Sequence, residues 1–308
     1  ASFLFTAPAD AAWPERPVTL IVPFAAGGLT DVMARLTAEV LHDKFNQAFI
    51  VQNEVGAGGI LATANAARAK PDGYTLLFGP VSLMTLSPMI SKVNYDPDKD
   101  FAPVSIVAST PFVVTITDGF PAKNVEEFIS EVKKKPGGYT YASAGTGTTT
   151  QAASLLFLKA AGLQMVHVPY RGVAPAFADM MAGHVQMTSA SPVEIKPHLN
   201  GGKVRPLGVT SKERSRQLPD VPTISETLPM PVVATHNGLF APKQTPQEII
   251  DTIAKEVVAA VKSAEFSDKL LKVGFEPFGS TSAEMAATIA ADRDGWLPVK
   301  NDMAVATQ

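Results

Sequence analysis

Val18-Thr19-Leu20-Ile21-Val22-Pro23-Phe24-Ala25-Ala26-Gly27-Gly28-Leu29-Thr30-Asp31 is the stretch on which the reading of this chain turns. Its first five residues are an unbroken apolar, β-branched run, the composition of a strand buried on both faces of a parallel sheet. Pro23 stops the run and a Gly-Gly turn follows. From about Asp31 the apolar residues Val32, Met33, Leu36, Val40 and Leu41 share one side of a helix. Strand, glycine turn and helix in that order open an α/β unit.

The same alternation extends outward almost to the C-terminus. Strands are expected over 49–52, 75–78, 139–142, 165–168, 185–188 and 204–209. Helices are expected from Asn124, an N-cap with Glu126 and Glu127 in its first turn, to Lys133-Lys134-Lys135, and again over 149–161, 175–181, 192–200, 246–263, 265–273 and 282–300. Two segments, 104–117 and 230–241, favour strand but fit no single α/β unit and read as crossovers. One lobe is therefore expected to be inserted into the other, with 13–114 plus 235–308 forming lobe 1 and 115–234 forming lobe 2. Each lobe should be a doubly wound sheet flanked by helices.

The chain has 308 residues, 46% hydrophobic and 18% charged, enough for two cores. Its 26 basic and 29 acidic residues leave a net charge of −3, which supplies no pull toward nucleic acid or an acidic membrane surface. With no cysteine there are no disulfides, thiolate nucleophiles, zinc-thiolate sites or lipidated N-terminal cysteine. Ser2-Phe3-Leu4-Phe5-Thr6-Ala7, followed by Ala9-Asp10-Ala11, reads as the tail of a secretory leader, so residues 1–12 are expected to be a leader remnant and the mature protein to be periplasmic.

Two loops share one design. Pro23–Asp31 and Ser143-Ala144-Gly145-Thr146-Gly147-Thr148-Thr149 each join a strand to a helix. Glycines let backbone N–H groups turn inward at the positive helix start, and hydroxyls add donors, so an anion can be held without a cation. Either loop alone is equally an ordinary capped turn. One in each lobe is more specific, because facing anion sites are what a ligand with two carboxylates requires. Neither loop carries the Gly-Lys-Ser/Thr of a phosphate loop or the spacing of a dinucleotide fingerprint.

Catalytic readings have less support. Tyr141 stands where a nucleophile elbow around Ser143 needs its first glycine. The five histidines show no metal-ligand spacing. His42 and His198 read as surface residues and His167 as a satisfied core histidine. His236 precedes Asn237-Gly238 in the second crossover and is a candidate ligand contact. Asp118, Asp220 and Asp292 read as turn or helix-surface residues. No metal, cofactor or enzyme activity is expected.

Longer motifs carry a family resemblance. Trp13-Pro14-Glu15-Arg16-Pro17 leads into the opening strand, and Asn53-Glu54-x-Gly56-Ala57-Gly58-Gly59, Pro71-Asp72-Gly73-Tyr74-Thr75 and Tyr95-Asp96-Pro97-Asp98-Lys99-Asp100-Phe101-Ala102-Pro103 follow in order. Val168-Pro169-Tyr170-Arg171-Gly172 and Leu218-Pro219-Asp220-Val221-Pro222 complete the set. Over roughly residues 13 to 300 the chain resembles the receptors of tripartite tricarboxylate transporters, the Bug or TctC-type solute-binding family. The resemblance implies a two-lobed periplasmic-binding-protein (Venus flytrap) fold, probing for a small carboxylate and delivering it to integral-membrane transporter subunits. Carried over residue by residue, it places one carboxylate on Gly28, Leu29, Thr30 and Asp31 and the other on Ser143, Gly145, Gly147, Thr148 and Thr149. Asp31, being acidic, is assigned to capping or holding water.

Two departures bear on the ligand. Where members often carry a Phe-Asp-Asn-like stretch, this chain has Ser189-Ala190-Ser191; the missing acid argues against an amino acid and for a plain dicarboxylate, with Ala190 at the site. Thr235-His236-Asn237-Gly238 replaces an aromatic with a histidine able to donate to a carboxylate. Ser82, at a strand's carboxyl end, joins the candidate pocket. Thr148→Ala is expected to weaken binding about tenfold with the fold intact. The expected protein is a monomeric receptor, with a sensor for a membrane signalling partner and an enzyme on the same scaffold as the alternatives. The carboxylate itself, whether linear diacid, tricarboxylate, aromatic dicarboxylate or a monocarboxylate, stays open at this stage.

Overall fold

The computed structural model describes residues 13–199 and 201–304, so the expected leader over 1–12 lies outside the described residues. The strands are β1 (Val18–Val22), β2 (Phe49–Asn53), β3 (Thr75–Pro80), β4 (Phe101–Pro111), β5 (Val113–Thr117), β6 (Thr140–Ser143), β7 (Val166–Pro169), β8 (Met187–Ala190), β9 (Val204–Val209), β10 (Ala234–Pro242) and β11 (Glu276–Pro277). The helices are α1 (Leu29–Phe45), α2 (Ile60–Ala67), α3 (Leu86–Ile90), α4 (Pro97–Asp100), α5 (Val125–Lys134), α6 (Thr149–Ala161), α7 (Val173–Met181), α8 (Pro192–Leu199), α9 (Gln247–Lys262), α10 (Ala264–Lys272), α11 (Ser282–Trp296) and α12 (Lys300–Ala304).

Local chemistry sets many of these ends. Asn124 caps α5 by accepting from Glu127 N, and Lys133 and Lys134 close its last turn. Gly162, at a φ of 64°, ends α6 in the left-handed region that glycine enters without strain. None of the described helices is long and apolar enough to cross a membrane.

The strands form two sheets, ordered β11-β4-β10-β3-β1-β2 and β7-β6-β8-β5-β9. Each contains a parallel trio, β2-β1-β3 and β7-β6-β8, with helices on its faces. Each trio is then flanked by an antiparallel crossover strand: β10 beside β3, β5 beside β8. The sheets are therefore mixed rather than wholly parallel, because the strand by which the chain enters each lobe, β5 or β10, runs against the trio it joins. Val18, Leu20, Val22, Met33, Leu41, Leu76 and Phe78 pack with Ile250, Ile253 and Val257 in one core; Val114, Ile116, Phe128, Phe157, Met187 and Leu207 centre the other.

The neck between the lobes is narrow. Phe112 alone separates β4 of the first sheet from β5 of the second, and the chain returns to the first sheet at Ala234. Thr210 ties the two passages together. Its N–H donates to Phe112 O at 2.9 Å, its hydroxyl accepts from Phe112 N at 2.9 Å, and its carbonyl accepts from Val233 N at 3.0 Å. A third contact spans the neck where Trp296, Val299 and Met303 pack with Ala152, Ala153 and Leu156 of α6.

Strand alternation along β10 divides its side chains between two faces. Thr235 and Asn237 face the cleft between the lobes, whereas Ala234 and His236 line a separate pocket of about 350 Å³ behind the neck, walled by Leu156, Phe278, Asp292 and Trp296. The His236 ring meets Phe278 edge-on at 5.4 Å, and its Nδ1 is buried without a partner. Asp292 is no surface carboxylate: it accepts from Thr85 Oγ1 at 2.6 Å and Trp296 Nε1 at 2.8 Å. Burial raises its pKa and those two bonds only partly offset the rise.

Thr210→Val keeps shape but strips the Phe112 N–H of its acceptor, so urea unfolding is expected to show a loss of about 1–3 kcal/mol. A loss near zero would mean the neck does not depend on this hydroxyl. Burial also draws His236 down to about 4 from the ordinary 6.5. Its neutral form is thus fully stabilising above pH 6.5, and that contribution is lost as pH falls toward 4, about 3 kcal/mol in all. A pH series of melting temperatures should lose this slope in His236→Phe; an unchanged slope would assign the acid sensitivity elsewhere.

Candidate functional site

The cleft has a volume of about 510 Å³ and is lined from both lobes, a size suited to a small molecule. Four of its walls lie at or just beyond the carboxyl ends of parallel strands: the Phe24–Thr30 loop after β1, Ser82 after β3, Thr146–Thr150 after β6, and Ser191 with Glu194 after β8. This is where open α/β sheets place ligands. Thr110 and Phe112 of the first crossover and Thr235 and Asn237 of the second complete it.

The first loop is fastened from below. Asp31 is buried and accepts from Gly27 N at 2.8 Å, Arg35 Nε at 3.0 Å and Asn53 Nδ2 at 2.9 Å. Asn53 Nδ2 also donates to Phe24 O at 2.9 Å, which fixes the strand side of the same loop. Burial alone would raise the Asp31 carboxyl, but the bonds from Arg35, Gly27 and Asn53 outweigh it and hold the group below the usual carboxylate range. Gly28, the N-cap of α1, provides no side-chain cap, which leaves the N–H groups of Leu29, Thr30 and Asp31 without helical acceptors. Gly27 sits at a φ of 80°, where a side chain would strain the turn.

The second loop is held by uncharged groups. Ser143 Oγ is 2.7 Å from His167 Nε2 and donates to Gly145 O at 3.0 Å; Gln151 Nε2 lies 3.3 Å from the other ring nitrogen. The His167 ring stacks on Tyr141, and burial lowers its pKa. Gly147 N donates to Gln151 Oε1 at 2.7 Å, and Ala144 N to Thr150 Oγ1 at 2.9 Å. Ser143 is fully buried and the far side of His167 meets an amide, not a carboxylate, so this serine–histidine contact braces a loop.

Among the expected contacts, Leu29, Thr30, Ser82, Gly147, Thr148 and Thr149 line the cleft. Gly28, Asp31, Ser143 and Gly145 belong to the two loops but are not among the lining residues; Asp31 and Ser143 are buried, and the Ser143 hydroxyl is turned inward. Two expectations are corrected. Ala190 is buried in the lobe 2 core with Val113 and Phe177, and His236 lies behind the neck because its neighbours Thr235 and Asn237 take the cleft face. Thr148 lines the cleft, but its hydroxyl donates to Gly145 O at 2.6 Å and caps α6 by accepting from Gln151 N, so Thr148→Ala would disturb the helix end as well as any ligand.

Several lining residues were not anticipated: Thr146, Ser87, Thr110, Glu194, Thr235 and Asn237. The Thr110 hydroxyl is buried without a partner. Thr146 lay inside the quoted Gly-Thr-Gly loop and was legible there. Glu194 brings an acid to the cleft three residues beyond the Ser189-Ala190-Ser191 stretch, which itself lacks one. No lysine or arginine is among the described lining residues, so these offer an anion helix N-termini, N–H groups, hydroxyls and the Asn237 amide.

Comparison with known proteins agrees with this architecture. The model for the tripartite tricarboxylate transporter family receptor, TctC, matches residues 33–303. A protein encoded in the tcbD-tcbE intergenic region of Pseudomonas sp. strain P51 is 33% identical over 92% of this chain and 85% of its own length. The protein BugT of Bordetella pertussis is 31% identical over 93% and 89%. Among solved structures, Rpa4515 of R. palustris with adipate has a TM-score of 0.79 at 33% identity, covering 96% of this chain and 99% of its own. MatC from Rhodopseudomonas palustris with bound malate has a TM-score of 0.75 at 32% identity, covering 94% and 100%. The chain belongs to the TctC family of tripartite tricarboxylate transporter receptors, with their two-lobed fold.

Proposed function

We propose that this protein is a periplasmic receptor that closes its two lobes on a small dicarboxylate and delivers it, as a monomer, to a tripartite tricarboxylate-type membrane transporter. The observation that carries the reading is the pair of helix N-termini, α1 and α6, brought to one cleft that has no cationic side chain in its lining. Each N-terminus supplies uncommitted N–H groups and the positive end of a helix dipole. Solved relatives carrying adipate and malate support a dicarboxylate as the ligand class.

Hydrogen bonds to a charged acceptor contribute about 1.5–3 kcal/mol each. Three or four per carboxylate, less desolvation and ordering, leave about 8 kcal/mol, a micromolar dissociation constant. Neither loop alone reaches that figure. Closure about the neck makes both sets of contacts at once, so the ligand favours the closed arrangement by its differential contacts. Both lobes contribute to the lining, so the lobe built on the first sheet, up to Pro111 and again from Ala234, and the lobe built on the second, between Val113 and Val233, would move as the two jaws; the expected boundaries at 114/115 and 234/235 are shifted because β5 begins at Val113 and β10 at Ala234.

Ligand-free protein, refolded from denaturant, should show a raised melting temperature with one length class among C4 to C6 diacids, tricarboxylates and aromatic dicarboxylates. Stabilisation by sugars or nucleotides alone would overturn the reading. Thr149 faces the cleft and its hydroxyl has no protein partner, so Thr149→Val is expected to weaken the best diacid about tenfold or more while leaving the ligand-free melting temperature unchanged. Equal affinity in calorimetry would remove this hydroxyl from the contact set.

A further inference from the structure

Glu194 is the one ionisable side chain among the described residues that line the cleft. Part of its role is local. Ser191 precedes α8, and Glu194 Oε2 accepts from both Ser191 N at 2.9 Å and Ser191 Oγ at 2.6 Å, which supplies the glutamate half of a capping box. Those bonds occupy one carboxylate oxygen. The other, Oε1, makes no hydrogen bond among the described residues and is not among the sealed polar atoms.

A free carboxylate oxygen in a cleft built to hold anions needs a physical reason. Facing a plain dianion, with no lysine or arginine in the lining to offset it, it would repel the ligand across a partly desolvated gap. Facing a ligand that also carries a donor, it becomes a charge-assisted acceptor, and the turn that Ser191 fixes holds it ready. The other polar groups of the lining, chiefly threonine and serine hydroxyls and asparagine, do not choose between a ligand with and without such a donor, since hydroxyls both donate and accept.

We infer that Glu194 forms a donor-recognition subsite, and that the preferred ligand is a small diacid bearing an ammonium, or failing that a hydroxyl, on the carbon chain near the lobe 2 loop. This rests on the carboxylate reading of the cleft and sharpens it. It also reverses the argument drawn from Ser189-Ala190-Ser191: the acid absent from that stretch is supplied three residues beyond it.

Matched pairs test it by calorimetry on ligand-free protein: succinate against L-malate and L-aspartate, and adipate against L-2-aminoadipate. In the pair of the right length the donor-bearing member should bind at least tenfold more tightly. Glu194→Gln, which keeps an amide oxygen for Ser191, should erase that ratio by weakening the donor-bearing ligand and tightening the plain diacid. Ser191→Ala controls for the turn, since it removes a cap bond but keeps the charge, and should leave most of the ratio. A plain diacid that binds as well as its substituted partner, with a ratio unmoved in Glu194→Gln, would overturn the subsite while leaving the carboxylate receptor standing. An equal collapse of the ratio in both variants would reduce Glu194 to a helix cap. Failure of every carboxylate to bind would overturn the receptor reading, and the subsite with it.

Discussion

The neck at Thr210 is the constraint on which the rest of the molecule depends. Two sheets, each with its own core, are joined by strands that pass within one residue's hydrogen bonds of each other. Phe112, Thr210 and Val233 hold those passages at a set spacing, and the strands on either side carry Thr110, Thr235 and Asn237 into the floor of the cleft. The distance between the α1 and α6 N-termini is therefore set at the neck.

Each lobe presents the same arrangement in different chemistry. The middle strand of each parallel trio, β1 or β6, leads to the glycine loop and helix; the third, β3 or β8, brings a serine, Ser82 or Ser191, to the same cleft. The lobe 1 loop is pinned by a buried carboxylate with an arginine and an asparagine behind it. The lobe 2 loop is pinned by serine, imidazole and amide. In both cases the strongest polar groups are spent beneath the loop, and the surface that meets the cleft is left with backbone N–H groups and hydroxyls.

Much of this was legible in the chain. Buried parallel strands announce themselves as apolar runs, as at 18–22 and 75–78, and glycine with threonine at a strand-to-helix turn marks the loops. What escaped was decided by parity and by distant partners. His236 and Asn237 are neighbours in a β-favouring run, and only the pairing of β10 between β3 and β4 says which of them meets the cleft. Asp292 looked like a helix-surface residue because Thr85, some two hundred positions away, and the Trp296 indole are not visible from its surroundings. Ser143 read as a ligand contact because nothing near it in sequence shows that His167 claims its hydroxyl. Glu194 was passed over because an acid at the third position of a helix has an ordinary explanation, and that explanation uses only one of its oxygens.

The lack of a cation in the cleft lining has a kinetic meaning. Lysine and arginine in a mouth throw a field well beyond contact and raise encounter rates in dilute salt. Helix ends and hydroxyls act as dipoles whose reach fades within the first turn, so these groups act on a molecule only once it is inside the cleft and add little field beyond its mouth. The same short reach means that even a small parting of the lobes would leave the donors of the two loops acting separately.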